Sequence, residues 1–195
     1  ALMAKVLGVN MVVVLSENST IERIKTMRAY GAEVFLTPKE LGVEGAIDFA
    51  LKLKKEKGYF QLNQFDNPDN ANAHFKTTGP EIWSDTGGEV THFVSAMGTT
   101  GTIMGVSAYL KEQNPLITIV GAQPKEGSRI PGIRKWSEEY LPAIFDKKRV
   151  DMITEVSQEQ ATIMARRLAQ EEGVFSGMSS GGSVHVAVEL AKKLQ

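Results

Sequence analysis

A glycine- and threonine-rich segment, "SAMGTTGT" at residues 95–102, has the composition of an anion-binding loop. An apolar run that favours a strand precedes it, and a second apolar run that favours a helix follows it. The free N–H groups at a helix N-terminus attract anions, and Gly98 and Gly101 would let the backbone approach a ligand closely. Thr99, Thr100 and Thr102 add hydroxyl donors. The segment therefore predicts a site for a small phosphate, with a tight turn that binds nothing as the alternative.

The spacing of the glycines narrows the kind of phosphate. The pattern is G-x-x-G, without the lysine of a nucleotide-binding P-loop and without the third glycine of a dinucleotide site. The next predicted strand ends at Gln123-Pro124, so no acidic residue is placed to bind a ribose hydroxyl. ATP and NAD are both disfavoured. A phosphate monoester held by neutral donors fits the pattern better.

A second loop, "SGMSSGGS" at residues 176–183, contains a match to the G-x-S-x-G nucleophile elbow centred on Ser179. A hydrolase of that kind places an acid and then a histidine after the serine, with strands between them. Here His185 and Glu189 follow on one predicted helix, which argues against a serine hydrolase without removing it as an alternative. The plainer interpretations are a flexible linker or a helix cap formed by the segment from Ser180 to Ser183.

Composition excludes several classes of function. The 195 residues carry a net charge of −1 and no basic stripe, which predicts no nucleic-acid partner. No apolar stretch approaches the roughly 20 residues that a membrane span needs. There is no cysteine, and the three histidines are too far apart to suggest a metal site. We therefore expect a soluble, cytoplasmic protein without a metal.

Strand and helix patterns alternate along the chain, which is typical of an α/β fold with parallel sheets and flanking helices. Predicted strands lie at residues 11–15, 33–36, 59–62, 90–97, 117–122 and 152–156. The first, "MVVVL", reads as buried on both faces. A break in composition near residue 65 predicts parts of two domains, residues 1–65 and residues 66–195. The irregular segment 123–150 is longer than most loops, which favours a functional element.

Local signals predict where the helices begin and end. Capping boxes at residues 19–22 and 157–160 open two helices that close at Gly31 and Gly173. Further helices are predicted at 43–57, with Gly58 as the stop, and at 102–112. A helix at 73–84 is predicted to be interrupted at Gly79-Pro80. The run at 184–190 predicts the last helix.

Four long motifs resemble the cysteine synthases, or O-acetylserine sulfhydrylases, of pyridoxal-phosphate fold type II. They are "NQFDNPDNANAHFKTTGPEIW", "THFVSAMGTTGTIMGV", "PGIRKWSEEYLP" and "EEGVFSGMSSGG". The stretch "EGSRIPGIRKW" is closer to the B type than to the A type. The resemblance implies a two-domain fold like that of the tryptophan synthase β chain, with residues 1–65 in the smaller domain and 66–195 in the larger, cofactor-binding one. It also implies a homodimer.

The resemblance implies roles for individual residues. Gly98, Thr99, Thr100, Gly101 and Thr102 match the loop that holds the 5′-phosphate of pyridoxal phosphate. Ser179 matches the serine that bonds the pyridine nitrogen, and Gln64 the glutamine near the substrate carboxylate. The basic pair Arg134-Lys135 lies in the long irregular segment, and together with the B-type resemblance it predicts that Arg134, with Lys135, attracts an anionic sulfur donor. A solvated charge pair is the alternative. The implied reaction replaces the acetate of O-acetylserine by sulfide or thiosulfate, giving cysteine or S-sulfocysteine.

The sequence departs from this family at one decisive position. No lysine here matches the lysine that the family uses to bind its cofactor covalently and to remove the substrate proton. We therefore expect an internal fragment, truncated at both ends, that has no catalytic residue of its own and is inactive alone. A non-catalytic phosphate-binding module of the same fold is the alternative. Cystathionine β-synthase and the serine/threonine dehydratases are related, but segment 123–150 follows the B-type pattern.

Overall fold

A computed structural model describes residues 1–194, and Gln195, the last residue of the predicted second domain, lies outside it. The chain divides into two compact units, a first unit Ala1–Leu62 and a second unit that begins at Asn63. Both are of the α/β class, so the predicted fold class is confirmed. That these units are the smaller and the cofactor-binding domain of the family stays a prediction from the resemblance.

The first unit contains a two-stranded parallel sheet with three α-helices. Its elements are α1 (Leu2–Val6), β1 (Val12–Ser16), α2 (Ile21–Ala29), β2 (Glu33–Thr37) and α3 (Gly42–Lys57). Val12 lies opposite Glu33 in the sheet. The prediction that the first strand is buried on both faces is wrong, because β1 pairs with β2 alone in the described unit and all five of its residues are half-buried.

Two further predictions in this unit are wrong and one is confirmed. Thr20 is the N-cap of α2 but makes no side-chain hydrogen bond, so the predicted capping box is not formed. Residues 59–62 are irregular rather than a strand, and Phe60 is 88% exposed. Helix α3 does end at Gly58, which takes the left-handed conformation that a glycine allows.

The second unit is a three-stranded parallel sheet with helices on both faces. Its strands are β3 (His92–Ala96), β4 (Thr118–Pro124) and β5 (Met152–Val156), in the order β3-β4-β5. Its α-helices are α4 (Pro68–Lys76), α5 (Thr78–Asp85), α6 (Gly101–Gln113), α7 (Gln158–Glu171) and α8 (Met178–Ala191). This alternation confirms the predicted pattern of parallel strands and covering helices.

The central strand β4 divides the core of this unit into two apolar clusters. Successive side chains of a strand point to opposite faces, so Ile119 belongs to one cluster and Val120 to the other. The first cluster includes Ile103, Met104, Val106 and Leu110 of α6, while the second includes Ala161 of α7 and Val186 of α8. Helix α6 therefore covers one face of the sheet, and α7 and α8 cover the other.

The break between α4 and α5 lies at Thr77 and not at Gly79-Pro80, so the predicted position of the interruption is wrong. Pro80 falls within the first turn of α5, where proline is tolerated because its missing N–H has no partner there in any case. By contrast, the capping box that opens α7 is confirmed, with Ser157 and Gln160 bonding each other's backbone N–H groups.

The carboxylate of Asp151, just before β5, links the sheet to α6. Asp151 accepts a hydrogen bond from the N–H of Ile119 at 2.7 Å and an ion pair from Lys111 Nζ at 3.0 Å. The backbone hydrogen bond, helped by Lys111, holds the pKa of Asp151 below its ordinary value. Among residues 1–194, no helix is both long and apolar enough to cross a membrane.

Candidate functional site

The predicted phosphate loop joins the carboxyl end of β3 to the N-terminus of α6. Thr100 is the N-cap of α6 and has φ 68°, a left-handed conformation that is rare for a β-branched residue. Its side chain is almost completely buried, and its Oγ1 has no hydrogen-bond partner among the described residues. A buried hydroxyl without a partner is costly, and strained backbone clusters at ligand sites. Both features indicate that the loop is shaped for a ligand.

The N-terminus of α6 is suited to an anion. The helix has 13 residues, its N-cap makes no side-chain hydrogen bond, and its first turn contains no acidic residue. The first N–H groups of a helix have no partner within the helix, and the helix dipole places partial positive charge there. An anionic ligand would supply the missing acceptors.

Helix α4 contacts the other two hydroxyls of the loop. Asn70 Nδ2 lies 3.0 Å from Thr99 Oγ1, and His74 Nε2 lies 3.2 Å from Thr102 Oγ1. The second ring nitrogen of His74 lies 2.9 Å from the hydroxyl oxygen of Thr78. Thr100 is therefore the one threonine of the three whose hydroxyl has no partner in this part of the chain.

The long irregular segment after β4 crosses the phosphate loop at residues 132–136. Trp136 Nε1 donates to the carbonyl oxygen of Gly98 at 2.7 Å, and the N–H of Arg134 donates to that of Met97 at 2.8 Å. A Cβ on Gly98 would lie 2.7 Å from the carbonyl oxygen of Gly132. Only glycine therefore allows this close crossing, which places the segment beside the phosphate loop.

The same segment meets the second glycine- and serine-rich loop. A Cβ on Gly132 would lie 3.4 Å from Cβ and Oγ of Ser179, the second residue of α8. The segment from Ser180 to Ser183 lies inside α8, whose N-cap is Gly177, so the interpretation that it caps the helix is wrong. The structure thus brings residues of both predicted loops, Gly98 and Ser179, close to Gly132.

The geometry does not favour a serine hydrolase. Ser179 and His185 are six residues apart on α8, which puts them on different faces of the helix. The carboxylate of Glu189 accepts from Lys192 Nζ at 2.7 Å. The three side chains therefore lack the arrangement in which a base activates the serine and an acid orients the base.

All residues of the chain, 1–195, match the sequence profile of the family described as "Pyridoxal-phosphate dependent enzyme". The chain belongs to this family. The protein named "Cysteine synthase B" of Pseudomonas aeruginosa is 55% identical over 195 residues, which are 100% of this chain and 65% of that protein. The protein of the same name from Escherichia coli is 52% identical over 192 residues, or 98% of this chain and 63% of that protein. The chain thus spans less than two thirds of the length of these relatives.

Solved structures give the same fold. An O-ureido-L-serine synthase superposes with a TM-score of 0.90 at 33% identity, over 98% of this chain and 63% of that one. A cysteine synthase of Entamoeba histolytica superposes with a TM-score of 0.84 at 38% identity, over 93% of this chain and 56% of that one. The resemblance to pyridoxal-phosphate fold type II is therefore confirmed.

The donor set at the loop fits the phosphate of this family's cofactor. A phosphate monoester offers only acceptors, and the loop presents an unpaired buried hydroxyl and the open N-terminus of α6. Gly98 lets the segment that contains Gly132 cross the loop closely, and Gly132 in turn lies against Ser179. Ser179 faces this region from α8 with a hydroxyl, which can donate to or accept from a ring nitrogen.

Gln64 and Arg134, the two predicted substrate-binding residues, both lie near this loop. Gln64 is linked to it through Asn70, and Arg134 through its backbone N–H to Met97. The carbonyl oxygen of Gln64 accepts from Asn70 Nδ2 at 2.7 Å, and its side chain is exposed. The guanidinium of Arg134 lies over the ring of Trp136, with its carbon 5.7 Å from the ring centroid. Within residues 1–194, no carboxylate forms an ion pair with Arg134.

Lys135, by contrast, is neutralised by carboxylates. Its Nζ lies 2.8 Å from Glu155 Oε1 and 3.5 Å from Glu126 Oε2. The hydrogen bond with Glu155 raises the pKa of Lys135 and lowers that of Glu155. Of the predicted basic pair, Arg134 is therefore the charge available to an anion.

The sequence predicts no role at the loop for four residues that lie near it: Asn70, His74, Gly132 and Trp136. Each lies inside one of the motifs that carry the resemblance, "NQFDNPDNANAHFKTTGPEIW" and "PGIRKWSEEYLP". The two motifs indicate that these stretches matter to the family. Residue type and spacing alone do not show which residues within them contact the loop.

Proposed function

We propose that the whole protein catalyses a β-replacement on O-acetylserine with pyridoxal phosphate as its cofactor. The bond from the β-carbon to the acetyl oxygen breaks, acetate leaves with the electron pair, and a bond from sulfide or thiosulfate to the β-carbon forms. The products are cysteine or S-sulfocysteine. Membership of the family and 55% identity to a protein named "Cysteine synthase B" support the proposal. The unpaired hydroxyl of Thr100 at the start of α6 is the structural observation that carries it.

The residues Gly98–Thr102 bind the phosphate in this proposal. N–H groups at the start of α6 donate to the phosphate oxygens, and the Thr100 hydroxyl adds a donor that has no partner in the protein. Hydrogen bonds to a charged group are stronger than those between neutral groups. These donors would hold the phosphate at the carboxyl end of β3, where ligands bind in open parallel sheets.

Ser179 positions the other end of the cofactor. When bound, pyridoxal phosphate withdraws electrons from the substrate carbon that carries the carboxylate. Ser179 bonds the ring nitrogen through a neutral hydroxyl, which leaves that nitrogen largely unprotonated and the ring a moderate electron acceptor. Such a ring suits the elimination of a leaving group better than it suits a long-lived carbanion.

Gln64 and Arg134 bind the two substrates. The amide of Gln64 donates to the carboxylate of O-acetylserine, and Arg134 attracts an anionic sulfur donor. We assign no proton-transfer residue to this chain, because none of its lysines matches the family's cofactor-binding lysine. The homodimer and the cytoplasmic location stay predictions from the resemblance and the composition.

The substitution Thr100→Val tests the phosphate site. Valine keeps the size and β-branching of threonine, and with them the strain at φ 68°, but removes the hydroxyl. A charge-assisted hydrogen bond contributes about 1.5–3 kcal/mol, so we expect a roughly ten- to hundredfold loss of pyridoxal phosphate affinity. The measurement is an equilibrium titration of the apoenzyme with pyridoxal phosphate.

Two controls accompany this titration. Pyridoxal, which lacks the phosphate, should bind wild type and Thr100→Val with equal, weak affinity. Thr162→Val removes a hydroxyl that bonds within its own helix, α7, and should leave cofactor affinity unchanged. An equal loss for pyridoxal and for pyridoxal phosphate would show that Thr100 shapes the loop and does not bind the phosphate.

The substitution Arg134→Ala tests the proposed site for the sulfur donor. Arg134 has no carboxylate partner among the described residues, so its positive charge is available to attract an anion. In the holoenzyme, Arg134→Ala should raise KM for thiosulfate several-fold more than KM for sulfide, because thiosulfate has the larger charge. Steady-state kinetics with each donor give the two ratios.

Arg129 provides the matched control, because it is an exposed arginine of the same irregular segment. Arg129→Ala removes the same charge and should leave both KM values near those of wild type. If Arg134→Ala raises KM equally for the two sulfur donors, Arg134 does not select the anion.

A further inference from the structure

We infer that Asn70 is a positioning residue that turns the Thr99 hydroxyl towards the cofactor phosphate and ties Gln64 to the same loop. The inference rests on the proposed phosphate site. Asn70 lies in the first half of α4, and its Nδ2 is 2.7 Å from the carbonyl oxygen of Gln64 and 3.0 Å from Thr99 Oγ1. One amide group therefore contacts both the predicted substrate residue and the predicted phosphate loop.

The orientation of the Asn70 amide follows from its partners. The carbonyl oxygen of Gln64 can only accept a hydrogen bond, so the amide atom 2.7 Å from it must be the NH₂ group. The opposite orientation would bring two carbonyl oxygens together without a proton between them. The same nitrogen lies 3.0 Å from Thr99 Oγ1 and therefore donates to it as well.

This orientation decides what the Thr99 hydroxyl can do. Its oxygen accepts from Asn70 and also from the N–H of Gly101 at 3.4 Å, so both of its lone pairs are engaged. The hydroxyl proton is then free, and Thr99 acts as a donor. A phosphate monoester presents only acceptors, so Asn70 prepares the polarity that this ligand requires.

The space around Asn70 is as restricted as its hydrogen bonds. A Cβ on Gly101 would overlap the Asn70 side chain, so the start of α6 packs directly on this amide. Any displacement of Asn70 would therefore move the phosphate loop and the backbone at Gln64 together. A change at position 70 should affect both cofactor affinity and KM for O-acetylserine.

The substitution Asn70→Asp tests the inference, because it keeps the shape of the side chain but replaces the donor by an acceptor. The Thr99 proton would then turn to the carboxylate and away from the phosphate, and the new negative charge would repel the phosphate. We expect pyridoxal phosphate affinity, measured by titration of the apoenzyme at pH 8, to fall about a hundredfold or more.

The pH dependence gives a signature that a purely structural role would not produce. A protonated aspartic acid can donate one hydrogen bond, so the ratio of Asn70→Asp to wild-type affinity should recover as the pH falls towards the pKa of the new carboxyl. Asn70→Ala, which cannot titrate, should show a pH-independent ratio. Equal pH dependence of the two variants would overturn the inference.

Asn72→Asp is the matched control, since it adds the same charge at an exposed position of the same helix. Its cofactor affinity should remain near that of wild type. If Asn70→Asp binds the cofactor as well as Asn72→Asp does, while Thr99→Val and Thr100→Val weaken binding, the inference fails and the phosphate site stands. If neither threonine variant weakens binding, the phosphate site fails, and the inference fails with it.

A double-mutant cycle decides the matter if Asn70→Asp does not fold. Asn70→Ala and Thr99→Val should each weaken cofactor binding about tenfold, and together by little more than either alone, because they break the same contact. Independent losses that multiply to about a hundredfold would overturn the inference.

Discussion

Gly101→Val should abolish saturable binding of pyridoxal phosphate to the apoenzyme at micromolar concentrations, a loss of more than about a hundredfold in affinity. A Cβ at this position overlaps the side chain of Asn70, and its Nδ2 would lie 2.7 Å away. Asn70 cannot give way freely, since it is bonded to Gln64 and Thr99. The N-terminus of α6 must move instead, and with it the N–H groups that bind the phosphate. Titration of the apoenzyme with pyridoxal phosphate measures the loss.

The control for this substitution is Glu112→Val, which introduces the same β-branched side chain at an exposed position near the end of α6. It carries the helix-propensity cost of valine without the overlap, so cofactor affinity should be unchanged. If Gly101→Val binds pyridoxal phosphate with an affinity within a few-fold of that of wild type, the close contact between Gly101 and Asn70 is contradicted.

Gly105→Ala should lower the free energy of unfolding by about 2 kcal/mol or more, despite the better helix propensity of alanine. A Cβ here overlaps the carbonyl oxygen of Ala71 and lies 2.7 Å from His74 Cβ and 2.8 Å from the nitrogen of Phe75. Two of these three atoms belong to the backbone of α4, so rotation of a side chain cannot relieve the contact. Urea denaturation of wild type and variant gives the difference in stability.

Gly182→Ala is the matched control for stability, because it is also a helix-interior glycine and lies in α8. Its Cβ would lie 3.0 Å from Cδ1, the end of the Ile133 side chain, and not against backbone atoms. We expect a change within about 1 kcal/mol, since the gain in helix propensity offsets the tighter contact. If the Gly105→Ala and Gly182→Ala variants have the same free energy of unfolding, α4 does not pack on α6 as closely as described.

The phosphate loop could be predicted from the sequence because everything that defines it is local. A strand, two glycines, three threonines and a helix follow one another within residues 92–113, and the structure places them in that order. The G-x-x-G spacing of its glycines also disfavoured a nucleotide P-loop and a dinucleotide site, and this argument needed no tertiary structure. The roles proposed for Gly98–Thr102, Ser179, Gln64 and Arg134 stay predictions. Gln64 and Arg134 are linked to the loop by hydrogen bonds, and Ser179 lies against Gly132 of the segment that crosses it.

The secondary-structure predictions that proved wrong share a physical cause. Residues 59–62 have the apolar composition of a strand but do not pair with any strand of the first unit. Thr77 ends α4, although Gly79-Pro80 is the stronger local signal for a break. Whether a segment pairs as a strand, or a helix continues past a given residue, depends on its neighbours in space. Intrinsic propensity is only a weak guide to either outcome.

The sequence by itself determined the α/β class, the phosphate loop at the end of β3 and the family, because these follow from local patterns and long motifs. Only the tertiary structure decided which groups are free to bind. Asn70 and His74 reach Thr99 and Thr102 from 29 and 28 residues away, which leaves the hydroxyl of Thr100 as the unpaired one. Glu155 reaches Lys135 from 20 residues away and neutralises it, which leaves the charge of Arg134 available. A hydroxyl proton or a cation is available to an anionic ligand only if no acceptor nearby in space already binds it, and the order of residues along the chain does not contain that information.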